Sequence, residues 1–235
     1  MNLIFLDTET TGNEIGKDRL CQVCYKVGPV MKNEYFKPPV PISVKAMSIT
    51  HITNKMIQDK KPFIGSEMHN DLKNLLEDGI LVAHNAKFDI SMLEAEGLST
   101  NKFICTLRMA RYLDPRNAIP EYNLQYLRYL LDIEVTGDPH NAETDVKVLV
   151  AIFDRLFLKM KESLGGDDEI IKKMIEVSSV PSIFSYFNFG KYKDQKVEDV
   201  AKSDRGYLEW LLNTKMQNEK NDEDWIYTLR HYLSK

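Results

Sequence analysis

Cysteine is scarce in this 235-residue chain, which carries only Cys21, Cys24 and Cys105. An odd, small number builds no disulfide framework and suits a reducing compartment. Cys21 and Cys24 make a C-x-x-C, but "RLCQVCYKV" reads as a strand, where residues three apart face opposite sides. No second cysteine pair exists to complete a tetrahedral site, so zinc is not expected there. Basic charge is not in excess either. The formal net charge of -4 argues against a broad cationic surface for long nucleic acid, though not against an enzyme that acts at a chain end. No run approaches the ~20 apolar residues of a membrane helix, so no membrane contact is expected. The first residues enter a strand-like segment rather than a basic and apolar leader, from which a cytoplasmic protein without a signal peptide is expected. Repeats and low-complexity tracts are missing too.

What is present is a chain with 43% hydrophobic residues, enough for one substantial domain and a smaller appendage. Apolar runs predict strands over Leu3–Asp7, Arg19–Val27, Val30–Phe36, Ile80–His84 and the "FICT" segment from Phe103. Helical spacing predicts a short helix within "MSITHITNKMIQDKKPF". Longer ones follow over Ser66–Glu77, within "NAKFDISMLEAEGL" up to Gly97, and over Leu107–Leu113, Leu124–Leu131 and Ala142–Met160. Three strands followed by helices interleaved with two more give an α/β class, a mixed five-stranded sheet flanked by helices. Gly165-Gly166 and the charge around it predict a linker over 163–182. The domains are then 1–162, and a small C-terminal module over 183–235 with its own aromatics.

The first strand carries the chemistry. In "LIFLDTETTG" an apolar run ends in Asp7 and Glu9, two apart, so both project from the same face. Two like charges so close repel unless a cation or a shared proton lies between them. Asp89 stands one turn into the helix after the strand "ILVAH". Asp145 lies near the start of the long helix after Pro139, and His140 just upstream of it. Singly, each has an ordinary structural reading: Asp89 or Asp145 at a helix start, His140 in a loop. Asp7 and Glu9 resist that reading, because it leaves their repulsion uncompensated. If the four carboxylates converge, hard oxygen ligands alone favour two Mg²⁺ ions, with Mn²⁺ able to substitute. Four positive charges would match four negative ones. Such a pair of ions, about 3.5–4 Å apart, activates water and stabilises a leaving phosphodiester oxygen. A histidine, which titrates near neutrality, is suited to take that water's proton.

"FLDTETTG", "HNAKFD" and "HNAETD" together resemble, in order and spacing, the signature blocks of the DEDDh (DnaQ-like) 3′–5′ exonuclease family. The resemblance covers most of residues 1–160 and implies a ribonuclease H-like fold. It also implies Asp7, Glu9, Asp89 and Asp145 as metal ligands and His140 as general base. Thr10, Thr11 and Gly12 would hold the terminal nucleotide, with Glu9 on its 3′ hydroxyl. His84 and Asn85 match the "HN" before the third carboxylate. "ITHIT", which contains His51, resembles the segment near the substrate end. Where many relatives place an apolar wedge after the first block, this chain has Asn13 and Glu14. The stretch from Phe187 to Leu212, "FNFGKYKDQKVEDVAKSDRGYLEWLL", resembles the C-terminal module of the exodeoxyribonuclease X group. Lys191, Lys193 and Lys196 sit on its turn, over a core of Tyr207, Leu208, Leu211 and Trp225.

The implied activity is release of nucleoside 5′-monophosphates from the 3′ end of DNA, in repair or end processing, with nucleic-acid 3′ ends as partners. Three alternatives stay open. They are a polymerase-associated proofreading subunit with replication or repair partners, an exoribonuclease trimming RNA 3′ ends, and a non-catalytic binder of nucleic-acid ends.

Overall fold

The computed structural model describes residues 2–217 and 219–235. Five strands form one sheet: β1 (Leu3–Thr10), β2 (Leu20–Val27), β3 (Val30–Tyr35), β4 (Ile80–Ala83) and β5 (Phe103–Cys105), in the order β3-β2-β1-β4-β5. β1, β2 and β3 run antiparallel, while β4 and β5 join parallel to β1, which makes the sheet mixed as expected. β1 runs three residues past its expected end. Its pairing with β2 continues through Asp7 opposite Cys24 and Glu9 opposite Gln22, then slips between Glu9 and Thr10. A bulge at this point re-aims the chain where the first block turns into a loop.

The alternation of β1 assigns its two faces. Ile4 and Leu6 bury against α2 (Glu67–Asp78) and α3 (Lys87–Ala95) through Leu72, Leu76, Met92 and Leu93. Phe5 points the other way, its ring 5.2 Å from that of Phe153 on α6 (Ala142–Lys161). Asp7 and Glu9 share the Phe5 face, so the strand aims them at the helix that carries Asp145. Cys24 packs in that same core and Cys21 in a separate cluster beside α1 (Val44–Thr50). Burial pushes both thiols up to about 12, so they remain uncharged.

The connection between domains differs from expectation. Residues 163–182 are mostly the helix α7 (Asp167–Ser179), which follows α4 (Thr106–Leu113), α5 (Leu124–Leu130) and α6. Its Ile170, Ile171 and Met174 are buried in the core beneath α6. The Ser178 hydroxyl accepts the Cys105 N–H at 2.8 Å, and Arg108 donates to the Ser178 carbonyl at 2.7 Å. What reads as a solvated break is a helix start: Gly166 is the N-cap, and Asp167, Asp168 and Glu169 fill the first turn, where the helix dipole favours acids. Ile170→Ala is expected to cost about 2–5 kcal/mol, as for an aliphatic core residue, whereas a linker position would cost nothing; denaturant unfolding measures it.

The C-terminal module contains α8 (Val197–Ser203), α9 (Arg205–Met216) and α10 (Glu219–Leu233). Its core gathers Phe184, Phe187, Leu208, Leu211, Trp225 and Leu229, with Tyr207 at the margin; the Phe187 and Trp225 rings stack at 5.3 Å. Charge docks the module on the sheet domain. Lys87 and Arg108 pair with Glu223, Arg111 pairs with Asp224, and the Ser182 N–H donates to Asp224 at 2.6 Å.

Candidate active site

At the C-terminal end of β1, the carboxylates of Asp7, Glu9 and Asp145 bring ligand oxygens within 4.8 Å of one another. They open into a cleft of about 480 Å³ that His140, His84, Asn123 and Gln125 also line. Asp7 is half-buried, while Glu9 and Asp145 are buried. Packing against protein, and then the charges of Asp89, Glu9 and Asp145, hold the Asp7 carboxyl well above the usual carboxylate range. Burial followed by Asp145 and Asp89 pushes Glu9 up to about 8. Asp145 is raised by burial and partly relieved by His140, Gln125 and Arg128.

Asp89 stands outside the closest trio but acts on it electrically. Thr8, on the opposite face of β1 from Asp7, donates its hydroxyl to Asp89 Oδ1 at 2.8 Å. That bond draws the Asp89 carboxyl down, yet burial dominates and lifts it to about 7. Four carboxyls raised together are what an acidic cluster looks like without its counter-charge. All-oxygen donors, with the nearby thiols protonated, fit Mg²⁺ or Mn²⁺.

Asp145 is positioned from several elements. Its Oδ1 accepts from Gln125 Nε2 at 2.7 Å, Gln125 in turn accepts from Arg128, and its Oδ2 accepts the His140 N–H at 3.1 Å. Buried Gln22 on β2 accepts the Ala142 N–H, and Asn141 caps α6, so the helix start is tied to the sheet. His140 itself is exposed, with φ +58°, at the mouth of the cleft. Gln125, Thr8 and Gln22 escape a reading of the sequence, because each meets its partner across a gap that no local periodicity encodes.

Other expected substrate contacts are placed differently. Thr11 has its polar groups engaged within the protein. Its N–H donates to Arg19 and its carbonyl accepts from Ser43, while its hydroxyl donates to Asp18 at 2.7 Å and accepts from the Arg19 N–H. Thr10 donates its hydroxyl to the Gly12 carbonyl at 2.5 Å, and a Cβ at Gly12 would meet Asp18 at 2.5 Å. These residues shape the loop; Asp18, which holds it closed, had no signal in the sequence. His84 lines the cleft, but its Nε2 donates to the Tyr122 carbonyl at 2.7 Å and its Nδ1 meets the Thr106 hydroxyl at 2.9 Å. Burial lowers its pKa to about 4, so it is a neutral brace. Asn85 is exposed and faces a neighbouring groove rather than the carboxylates. His51, expected at the substrate end, is the exposed C-cap of the seven-residue α1 and does not line the cleft.

Comparison with known proteins supplies the class: the chain belongs to the exonuclease family, whose model matches residues 4–153. A second model, for the exodeoxyribonuclease X-like C-terminal region, matches residues 187–215. Among particular relatives, exodeoxyribonuclease 10 of Escherichia coli strain K12 is 32% identical over 238 residues, spanning 98% of each chain. DNA polymerase III subunit epsilon of Treponema pallidum is 29% identical over 187 residues, covering 72% of this chain and 85% of its own. Among solved structures, exonuclease X in complex with 5′ overhanging duplex DNA matches with TM-score 0.58 and 24% identity, over 75% of this chain and 99% of the other. The fold is therefore the ribonuclease H-like one of these exonucleases.

Proposed function

We propose that this chain hydrolyses phosphodiester bonds from the 3′ end of DNA, releasing nucleoside 5′-monophosphates with the help of two Mg²⁺ ions. The observation that carries the reading is the trio of Asp7, Glu9 and Asp145 oxygens within 4.8 Å on one sheet end. Support for DNA comes from the full-length likeness to a protein named an exodeoxyribonuclease and from the matching C-terminal region.

Asp7, Glu9 and Asp145 would hold the ions, with Asp89 alongside. Bound there, the ions would supply charge stabilisation at the phosphoryl oxygens and a water of lowered pKa. His140 takes the attacking water's proton at the cleft mouth. Its backbone N–H bond to Asp145 ties the base to a ligand, so the two keep their spacing. Glu9 faces the terminal 3′ hydroxyl, and the loop closed by Thr11 and Asp18 bounds the terminal sugar. Gln125→Leu removes the donor that steadies Asp145. The expected outcome is an apparent Mg²⁺ affinity lower by roughly 10-fold or more, as for other groups that orient metal ligands, with little change of rate at saturating metal. Activity titrated against Mg²⁺ checks it.

The deciding experiment uses 3′- and 5′-labelled single-stranded DNA and RNA of one sequence, with Mg²⁺ and with EDTA. Metal-dependent shortening of DNA from its 3′ end is expected. Preference for RNA would move the assignment to 3′-end trimming of RNA, and no cleavage of either would move it to end binding.

A further inference from the structure

A groove leaves the carboxylate cleft and follows the seam between the sheet domain and the C-terminal module. It has two chambers, of about 500 Å³ and 680 Å³. Asn123 lines both the cleft and the first chamber. Asn117, Pro120 and Asn188 line both chambers. The three spaces thus adjoin, sharing walls from the His140 mouth to the turn that bears Lys193.

Two buried donors beside the groove find no acceptor among the described residues. Asn117 is 5% exposed; its Oδ1 accepts the Tyr122 hydroxyl at 2.9 Å, while its Nδ2 has no partner. Asn117 lies where the chambers meet, at φ +53°, a conformation that asparagine tolerates better than most residues. Arg111 pairs with Asp224 through Nη1, yet its Nε is unpartnered. A buried donor left unpaired is costly, so its presence beside a groove points to a ligand that accepts from it.

Charge changes along the groove. In the first chamber Glu223 pairs with Lys87 and Arg108 and Asp224 with Arg111, Glu121 and Asp222 add two acids, and amides and rings line the rest: Asn85, Asn123, Tyr122 and Phe184. In the second chamber Arg116 and Lys193 are exposed, and no ion pair engages either among the described residues; Asp194 is the acid beside them. A polar and aromatic stretch followed by free cations is the pattern of a single-strand track, where bases stack and backbone phosphates meet charge.

We propose that this groove holds the single-stranded nucleic acid lying 5′ of the scissile bond. Bases lie along the first chamber, the Asn117 amide donates to the strand at the junction, and Arg116 and Lys193 take backbone phosphates in the second. The module thereby forms one wall of the substrate channel. The proposal rests on the exonuclease reading above.

The test compares the wild type, the double variant Arg116→Glu with Lys193→Glu, and Asn117→Asp, which keeps the side chain's size and reverses its donor. Each is assayed on a dinucleotide and on a 12-nucleotide single strand, with thermal melting as the folding control. KM for the 12-mer is expected to rise about tenfold in each variant with kcat unchanged, because phosphate contacts act on binding. Dinucleotide turnover, which does not reach the second chamber, is expected to hold. Equal losses on both substrates, or no loss on either, would overturn the proposal. So would loss of inhibition by free deoxynucleoside monophosphate with the 12-mer KM unmoved, which would make the groove a product site. If the wild type cleaves neither substrate, the exonuclease reading fails on its own. Fluorescence anisotropy then still decides the groove, since the wild type should bind the 12-mer more tightly than the double variant does.

Discussion

Asp7→Asn is expected to abolish turnover and, without metal, to make the protein more stable than wild type. The first effect follows from losing a carboxylate at the centre of the trio. The second follows from the electrostatics of the carboxyl cluster when no metal is supplied. An unfolded chain ionises its carboxyls near pH 4, whereas in the fold Glu9 is pushed up to about 8 and Asp89 to about 7. Between those values the native state binds more protons than the unfolded state, so stability declines as pH rises through the window and is fully regained only below it. Asparagine at position 7 removes the carboxyl that burial and the charges of Asp89, Glu9 and Asp145 hold well above its usual range, and with it the cost of keeping that group protonated. The relief should raise the melting temperature, at about 2–4 °C per kcal/mol for a domain of this size. Melting in EDTA from pH 5 to pH 8 should show a falling curve for wild type and a flatter, higher one for the variant. Added Mg²⁺ should stabilise the wild type most at pH 8, by about 2.7 kcal/mol at a hundredfold excess over Kd. A wild-type curve indifferent to both pH and Mg²⁺ would sink the metal-site assignment.

The second large effect concerns His140. His140→Asn should lower the rate by about 10²–10⁴, the usual contribution of a positioned base, while metal and DNA binding persist. Asparagine is the informative replacement. His140 has φ +58°, which asparagine adopts more readily than alanine, so the loop should keep its shape. The bond to Asp145 comes from the backbone N–H and does not depend on the side chain. Single-turnover rates at saturating metal give the test: the loss should lie in the chemical step, with Mg²⁺ and DNA affinity unmoved. An unchanged single-turnover rate would show that another group takes the proton.

How much was legible follows from what is local. The spacing of Asp7 and Glu9 encodes their shared face outright, since strand period alone decides it. The five strands, the α6 helix and the order of the acidic blocks were readable because each is a run of adjacent residues. The α7 helix was not, because a glycine pair followed by acids reads the same whether a chain breaks or a helix begins. Thr11 shows a subtler limit. Its place in the block suggests a ligand contact, but Arg19, Ser43 and Asp18 claim its polar groups, and that claim is settled only by how distant segments meet. Gln125 and Thr8 belong to the same category: ordinary residues made important by what the fold sets beside them.

The bond from Ser178 to the Cys105 amide bears on where this protein can be cut. β5 is the last strand of the sheet, and α7 packs against it. A fragment ending at residue 162 would strip that cover, leave a backbone donor unpaired and bare the core that Ile170 and Met174 close. Open edges of this kind recruit other chains. Such a fragment should self-associate at concentrations where one ending after Ser179, eighteen residues beyond the end of α6, stays monomeric.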